Sequence, residues 1–215
     1  MKPPRRPAGR AAAAAPGRVR IIGGRWRNSR LDVPALPGLR PSSDRVRETL
    51  FNWLQPGLPG ARCLDLFAGT GALGLEAASR GAAQVVLVER DRMLAQSLRD
   101  ACRRLGADGV EVVQADALAW LARPPADRFE VVFLDPPFDA DLWARAYAAV
   151  RPHLADGALV HVEGPAGGLP PAPSGWLPHR RGRTRDVEHV LYRVAGPAAD
   201  TLDGVHGPST DTDAG

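Results

Sequence analysis

At 215 residues the chain is long enough to bury a proper core but leaves room for little more than one domain with short appendages. A composition of 44% hydrophobic and 24% charged residues excludes a fibrous or wholly disordered chain, and the apolar run Ala11 to Ala15 is too short for a membrane span or a signal-peptide core. The net charge of +4 conceals an asymmetry, because residues 1–31 hold nine basic residues and no acid while residues 196–215 hold four aspartates and no base. A cytoplasmic protein is expected, with one end that favours phosphate. Cys63 and Cys102 lack the paired spacing of a zinc or redox site and are read as reduced core thiols.

Residues 1–18, rich in Pro, Ala, Gly and Arg, are expected to be a disordered basic arm, and residues 19–195 the folded domain. In Val19 to Arg27, short apolar runs flank Gly23-Gly24, which predicts a hairpin with a two-residue turn. On the second strand Arg25 and Arg27 would share one face and Trp26 the other. Ser42, Ser43 and Asp44 are N-cap candidates for a helix that carries Val46, Leu50, Trp53 and Leu54 on one side. Its other side and entry loop carry Arg40, Arg45 and Arg47. Together with Arg25 and Arg27 these are the candidate RNA-binding residues, a basic wall beside the active site.

From Ala61 onward, strand and helix signals alternate with short connections, which predicts a doubly wound parallel sheet. Strands are expected near residues 62–67, 84–89, 110–115 and 129–135, then at 157–163 and 187–194, with a weaker one from Trp176 to Arg181. Residues 196–215 are expected to be a disordered acidic tail.

The glycine-rich turn Asp65-Leu66-Phe67-Ala68-Gly69-Thr70-Gly71-Ala72-Leu73-Gly74 lies between the first sheet strand and a helix, where backbone amides face a ligand. Asp65, Phe67, Gly69 and Gly71 are candidate cofactor residues. Glu89, twenty residues after Gly69, ends the next strand, where a carboxylate can accept both hydroxyls of a ribose. Asp116 and the Ala117 amide follow the third strand and suit an adenine, although Asp116 equally suits the N-cap of a helix from Ala117. Gly69 to Gly74 also satisfies the dinucleotide fingerprint. Asp65, however, would repel a pyrophosphate and hold an ammonium, so S-adenosylmethionine fits better than a nicotinamide cofactor.

The apolar run Phe129 to Leu134 reads as a buried parallel strand that ends in Asp135-Pro136-Pro137-Phe138. Two prolines cannot continue a ladder, so the chain leaves the sheet rigidly extended. An acceptor side chain (Asp135), a backbone carbonyl (Pro136) and an aromatic face (Phe138) then suit a planar base with an exocyclic amine. Asp135, Pro136, Pro137 and Phe138 are the catalytic candidates.

These stretches resemble the RsmD-type 16S ribosomal RNA guanine-N2 methyltransferases over roughly residues 20–194. The resemblance is carried by Arg20 to Gly24, Leu39-Arg40-Pro41 through Arg45 to Phe51, Asp65 to Gly71, and Asp135 to Phe138. It implies a Rossmann-like α/β fold with a seven-stranded, mostly parallel sheet containing one antiparallel strand. S-adenosylmethionine would be the donor and a guanine of small-subunit ribosomal RNA the target, presented with bound ribosomal proteins. Where that family tends to carry glycine before its last strand, this chain has Arg185-Asp186. The expected reaction is direct attack of the amine on the donor methyl, oriented by Asp135 and Pro136, with no metal and with the protein a monomer. The alternatives are methyl transfer to DNA adenine or cytosine or to a protein glutamine, and a non-catalytic RNA-binding module. The chain has no separate domain to read DNA bases.

Overall fold

The computed structural model describes residues 17–33, 43–136 and 140–196, with Ala140 and Asp141 described in backbone alone. The expected acidic tail lies outside these residues save Gly196, as does the basic arm save Gly17 and Arg18.

Those two residues are in a strand rather than in an arm. Strand β1 (Gly17–Arg20) pairs antiparallel with β2 (Arg30–Val33), Gly17 facing Val33 and Arg20 facing Arg30. The connection runs from Ile21 to Ser29, so Gly23-Gly24 is not a two-residue hairpin turn. The reason is docking. Gly24 has φ 73° and lies so close to the next layer that a Cβ would stand 1.8 Å from the Ser79 carbonyl oxygen. The amides of Arg25 and Trp26 donate to the Ser79 carbonyl and hydroxyl at 2.7 and 2.9 Å. Arg25 to Asn28 therefore form a turn, and the Arg25 guanidinium lies over the Trp26 ring, 5.8 Å from its centroid, instead of on an opposite face.

Helix α1 (Asp44–Leu54) is capped by Ser43, whose hydroxyl accepts from the Val46 amide. It buries Val46, Leu50, Phe51 and Leu54 at helical spacing. The α/β unit follows as β3 (Arg62–Asp65), α2 (Gly74–Ser79), β4 (Gln84–Glu89), α3 (Arg92–Leu105), β5 (Val110–Gln114), α4 (Ala117–Leu121), β6 (Phe129–Leu134) and α5 (Ala140–Val150). Strands β7 (Leu154–Pro165), β8 (Trp176–Arg183) and β9 (Val187–Val194) complete it. The sheet order is β5-β4-β3-β6-β7-β9-β8. Strand β9 is antiparallel to both its neighbours and every other adjacent pair is parallel, as the family resemblance implied.

Two cores flank the sheet. One packs Leu50, Phe51, Leu54, Cys63, Leu87, Val131 and Phe133 beneath α1, α2, α3 and the hairpin. The other packs Leu64, Val132, Leu134, Trp143, Tyr147 and Val160 against α4 and α5. No helix among the described residues is long and apolar enough to cross a membrane.

Candidate active site

Order reverses between β3 and β6, and ligands of open α/β sheets bind at such a point, outside the carboxyl ends of the strands. The register shows which side chains meet there. Asp65 pairs with Leu87 and with Phe133, Phe133 pairs with His161, and Glu163 pairs with His189. Since side chains alternate along a strand, Glu89, Asp65, Asp135, Glu163 and His189 share the face covered by α1 across five strands, with Glu89, Asp135, Glu163 and His189 level in one row and Asp65 two residues short of it.

The glycine loop supports the cofactor half of that row. Gly69 and Gly71 have φ of 52° and 75°, which L side chains rarely adopt, and these conformations turn the chain from β3 towards α2. Asp65 is buried and accepts from the Gly74 amide at 2.9 Å. Burial, and secondarily the nearby Glu89, push its carboxyl up to about 7 against the pull of that amide. Glu89 binds the loop as well, accepting from Gly69 at 2.8 Å and from Asp91 at 2.7 Å. Each of its oxygens keeps a second lone pair for a hydroxyl. Phe67 is half-buried beside this loop. Asp116 takes the capping role, Oδ1 accepting from the Ala119 amide at 3.0 Å, with Ala117 buried behind it.

On the other half Asp135 leaves β6 and Pro136 is buried. Pro137 and Phe138 lie outside the described residues. The Asp135 carboxyl is pushed up to about 8 by burial first, then by Glu163 and Asp65. Glu163, buried at the end of β7, was not a candidate from sequence. Its signal was positional: a carboxylate on the last inward position of a strand parallel to the one that ends in Asp135. Behind the row, His161 is fully buried and held down to about 3 by burial and then by His189, which itself stacks on Trp53 at 5.1 Å. Burial lowers His189 as well, so the same cause favours the uncharged form of both rings.

The predicted basic wall is dispersed. Arg25 and Arg27 are exposed, but their turn is anchored on Ser79, at the end of α2 remote from the glycine loop, about 9 Å of helix away. Arg47 is buried, 1% exposed, with its guanidinium 2.6 Å from Asp44 and 3.8 Å from Glu76. Glu76 is itself fully buried and accepts from the Ile22 and Gly23 amides and from Arg80. Arg47 thus ties the hairpin, α1 and α2 together and has no face to offer a phosphate. Arg45 is exposed on the first turn of α1, and Arg40 lies outside the described residues. A cavity of about 570 Å³, lined by Arg62, Trp120, Phe129 and His153, lies at the amino ends of the strands, away from the carboxylates.

Four acidic side chains on one face, two of them held by burial towards the protonated form, make a patch that a cationic ligand would ionise and that is hostile to a pyrophosphate. Among the described residues no group of His, Cys, Asp and Glu is placed to hold a metal ion.

A family model, "Conserved hypothetical protein 95", matches residues 19–193. The ribosomal RNA small subunit methyltransferase D of Escherichia coli K12 is 46% identical over 180 residues, which span 82% of this chain and 90% of that protein. Its namesake in Haemophilus influenzae is 40% identical over 184 residues, 83% of this chain and 95% of that one. Among solved structures, a putative methyltransferase from Escherichia coli superposes with a TM-score of 0.77 at 43% identity, covering 84% of this chain and 99% of that one. An RNA methyltransferase from Salinibacter ruber in complex with S-adenosyl-L-homocysteine shares the fold at 20% identity, with a TM-score of 0.59, over 77% of this chain and all of that one. Matched over most of its length by the family model and by both curated relatives, the chain belongs to the conserved hypothetical protein 95 family, which includes the small-subunit ribosomal RNA methyltransferases D.

Proposed function

We propose that the protein is an S-adenosylmethionine-dependent methyltransferase that modifies the exocyclic N2 amine of one guanine in 16S ribosomal RNA, within the small subunit. The observation that carries this reading is the set of acidic side chains on one face across the switch point, with Asp65 and Glu89 on the cofactor side and Asp135 and Glu163 on the other. The relatives' names support the ribosomal substrate.

Asp65 would hold the donor's ammonium, Glu89 its ribose, and Ala117 with Asp116 its adenine. When bound, the donor supplies a methyl group made electrophilic by its sulfonium. The guanine amine is a weak nucleophile because its lone pair is delocalised into the ring. Asp135 and the Pro136 carbonyl accept its two N–H bonds and turn the lone pair towards the methyl, a positioning effect that can supply roughly 7–11 kcal/mol. As the N–C bond forms and the C–S bond breaks, the amine gives up one proton. Asp135 in its ionised form, already accepting one of the amine's N–H bonds, is placed to receive it. Phe138 is proposed to stack on the base, which must leave any helical stack to reach the site.

Mass analysis of ribosomal RNA nucleosides from cells with and without this protein is the test. Loss of one N2-methylguanosine per small subunit, restored by purified protein and S-adenosylmethionine, is the expected result. An unchanged nucleoside profile would refute it.

A further inference from the structure

We propose that Arg183 and Arg185, at the turn between β8 and β9, form a phosphate clasp for the RNA segment that delivers the target base; this rests on the ribosomal RNA reading above. Strands β4 and β3 carry the cofactor-side acids Glu89 and Asp65, so the substrate must approach over β7, β9 and β8. Because β9 runs against its neighbours, the turn from Thr184 to Asp186 stands at the carboxyl end of β7. The ladder makes this concrete: Glu163 pairs with His189 and Gly164 with Glu188, and Glu188 also pairs with Arg183, which puts Arg183 at the carboxyl edge of the sheet with its side chain on the face opposite to Glu163. Three strand spacings of about 4.8 Å separate β8 from Asp135, a reach suited to phosphates flanking an extruded base.

The neighbouring charges leave these two guanidiniums available. Arg181 lies 3.5 Å from Glu188, and the other Glu188 oxygen accepts from the Gly167 amide, so Glu188 is already engaged. Among the described residues neither Arg183 nor Arg185 has an ion-pair partner, and both are exposed. Asp186 is exposed next to them, while its carbonyl holds the Ala166 amide and ties the turn to the end of β7.

Basic residues on an edge strand also guard against pairing with another sheet. That role fits Arg180 and Arg181 in the middle of β8. It does not account for Arg185, which lies past the last ladder pair and guards no edge. A hydrogen-bonded turn, in which the Thr184 amide donates to the Val187 carbonyl at 2.8 Å, instead presents Arg183 and Arg185 from a fixed frame. Arginine suits this use because its planar fork of donors matches phosphate oxygens.

The test compares the parent, R183Q/R185Q and R183K/R185K on small ribosomal subunits isolated from cells lacking the modification, across a series of salt concentrations. For R183Q/R185Q the slope of log affinity against log salt is expected to fall by about two, near 0.9 per lost phosphate contact. Its KM for subunits should rise about tenfold or more. The single-turnover rate at saturating subunits and the affinity for S-adenosylmethionine should stay at the parental values. R183K/R185K should keep most of the slope, since the charge remains. A parental slope and KM in R183Q/R185Q, with a parent that methylates, would overturn the clasp alone. A lower saturating rate with an unchanged slope would also overturn it. If the parent methylates no subunits, the ribosomal reading fails and the clasp with it.

Discussion

Asp135 and Glu163 stand side by side on neighbouring parallel strands, one rung beyond the Leu134–Val162 pair, with their carboxyl groups on the same face of the sheet. After burial, this neighbour is the largest reason that the Asp135 proton is hard to remove. Removing the Glu163 charge should therefore ease ionisation. In Glu163→Gln the acid limb of the pH profile of kcat/KM for S-adenosylmethionine, which reports the free enzyme, is expected to move to lower pH. A limb that stays in place would separate Glu163 from the titration of Asp135.

Replacing Asp135 itself tests the orientation of the amine. Asp135→Asn keeps one acceptor but loses the charge and can present a donor to a donor. A hydrogen bond to a charged group contributes roughly 1.5–3 kcal/mol, so single-turnover methyl transfer should fall at least about tenfold to a hundredfold. Calorimetry should find the cofactor affinity little changed, because Asp65, the glycine loop and Glu89 are untouched. Methylation at the parental rate would remove Asp135 from the mechanism.

The two raised carboxyls also make the free protein sensitive to pH. Asp65 titrates at about 7 and Asp135 at about 8 in the folded chain, against 3.8 when unfolded. Between pH 4 and 8 the folded state thus binds more protons than the unfolded one, and stability falls as pH rises through that window. Melting temperatures at pH 5, 6.5 and 8 should decline in the cofactor-free parent, and decline less in Asp135→Asn. Identical pH trends in the two proteins would contradict the shift at Asp135.

Arg47 is expected to behave as a structural residue. Arg47→Met would leave the fully buried Glu76 short of one cation, which for a broken buried pair costs about 3–5 kcal/mol. Arg45→Gln, two residues away and exposed, should stay within about 0.5 kcal/mol of the parent. Chemical denaturation of the two variants makes the comparison. Equal stabilities would mean that the hairpin does not depend on the ion pair.

Much of the fold was legible in the amino-acid sequence because the signals are local. Apolar runs of strand length, glycines at positive φ and a proline pair after Asp135 each act within a few residues, so the sheet strands, the glycine loop and Asp135 could be read directly. The antiparallel strand was implied by family resemblance and is present in the sheet. Tertiary structure decided what depends on partners far along the chain. Gly24 serves close packing on Ser79, 55 positions away, and not a hairpin turn; Arg47 is drawn under the hairpin by Glu76; and Arg25 lies at the remote end of α2. Glu163 joins the site because β7 happens to lie beside β6, and Arg183 and Arg185 reach its rim because β9 reverses direction. Side-chain type announces charge, but only strand order and register determine which charges meet, since neighbouring strands bring together residues that the sequence holds tens of positions apart.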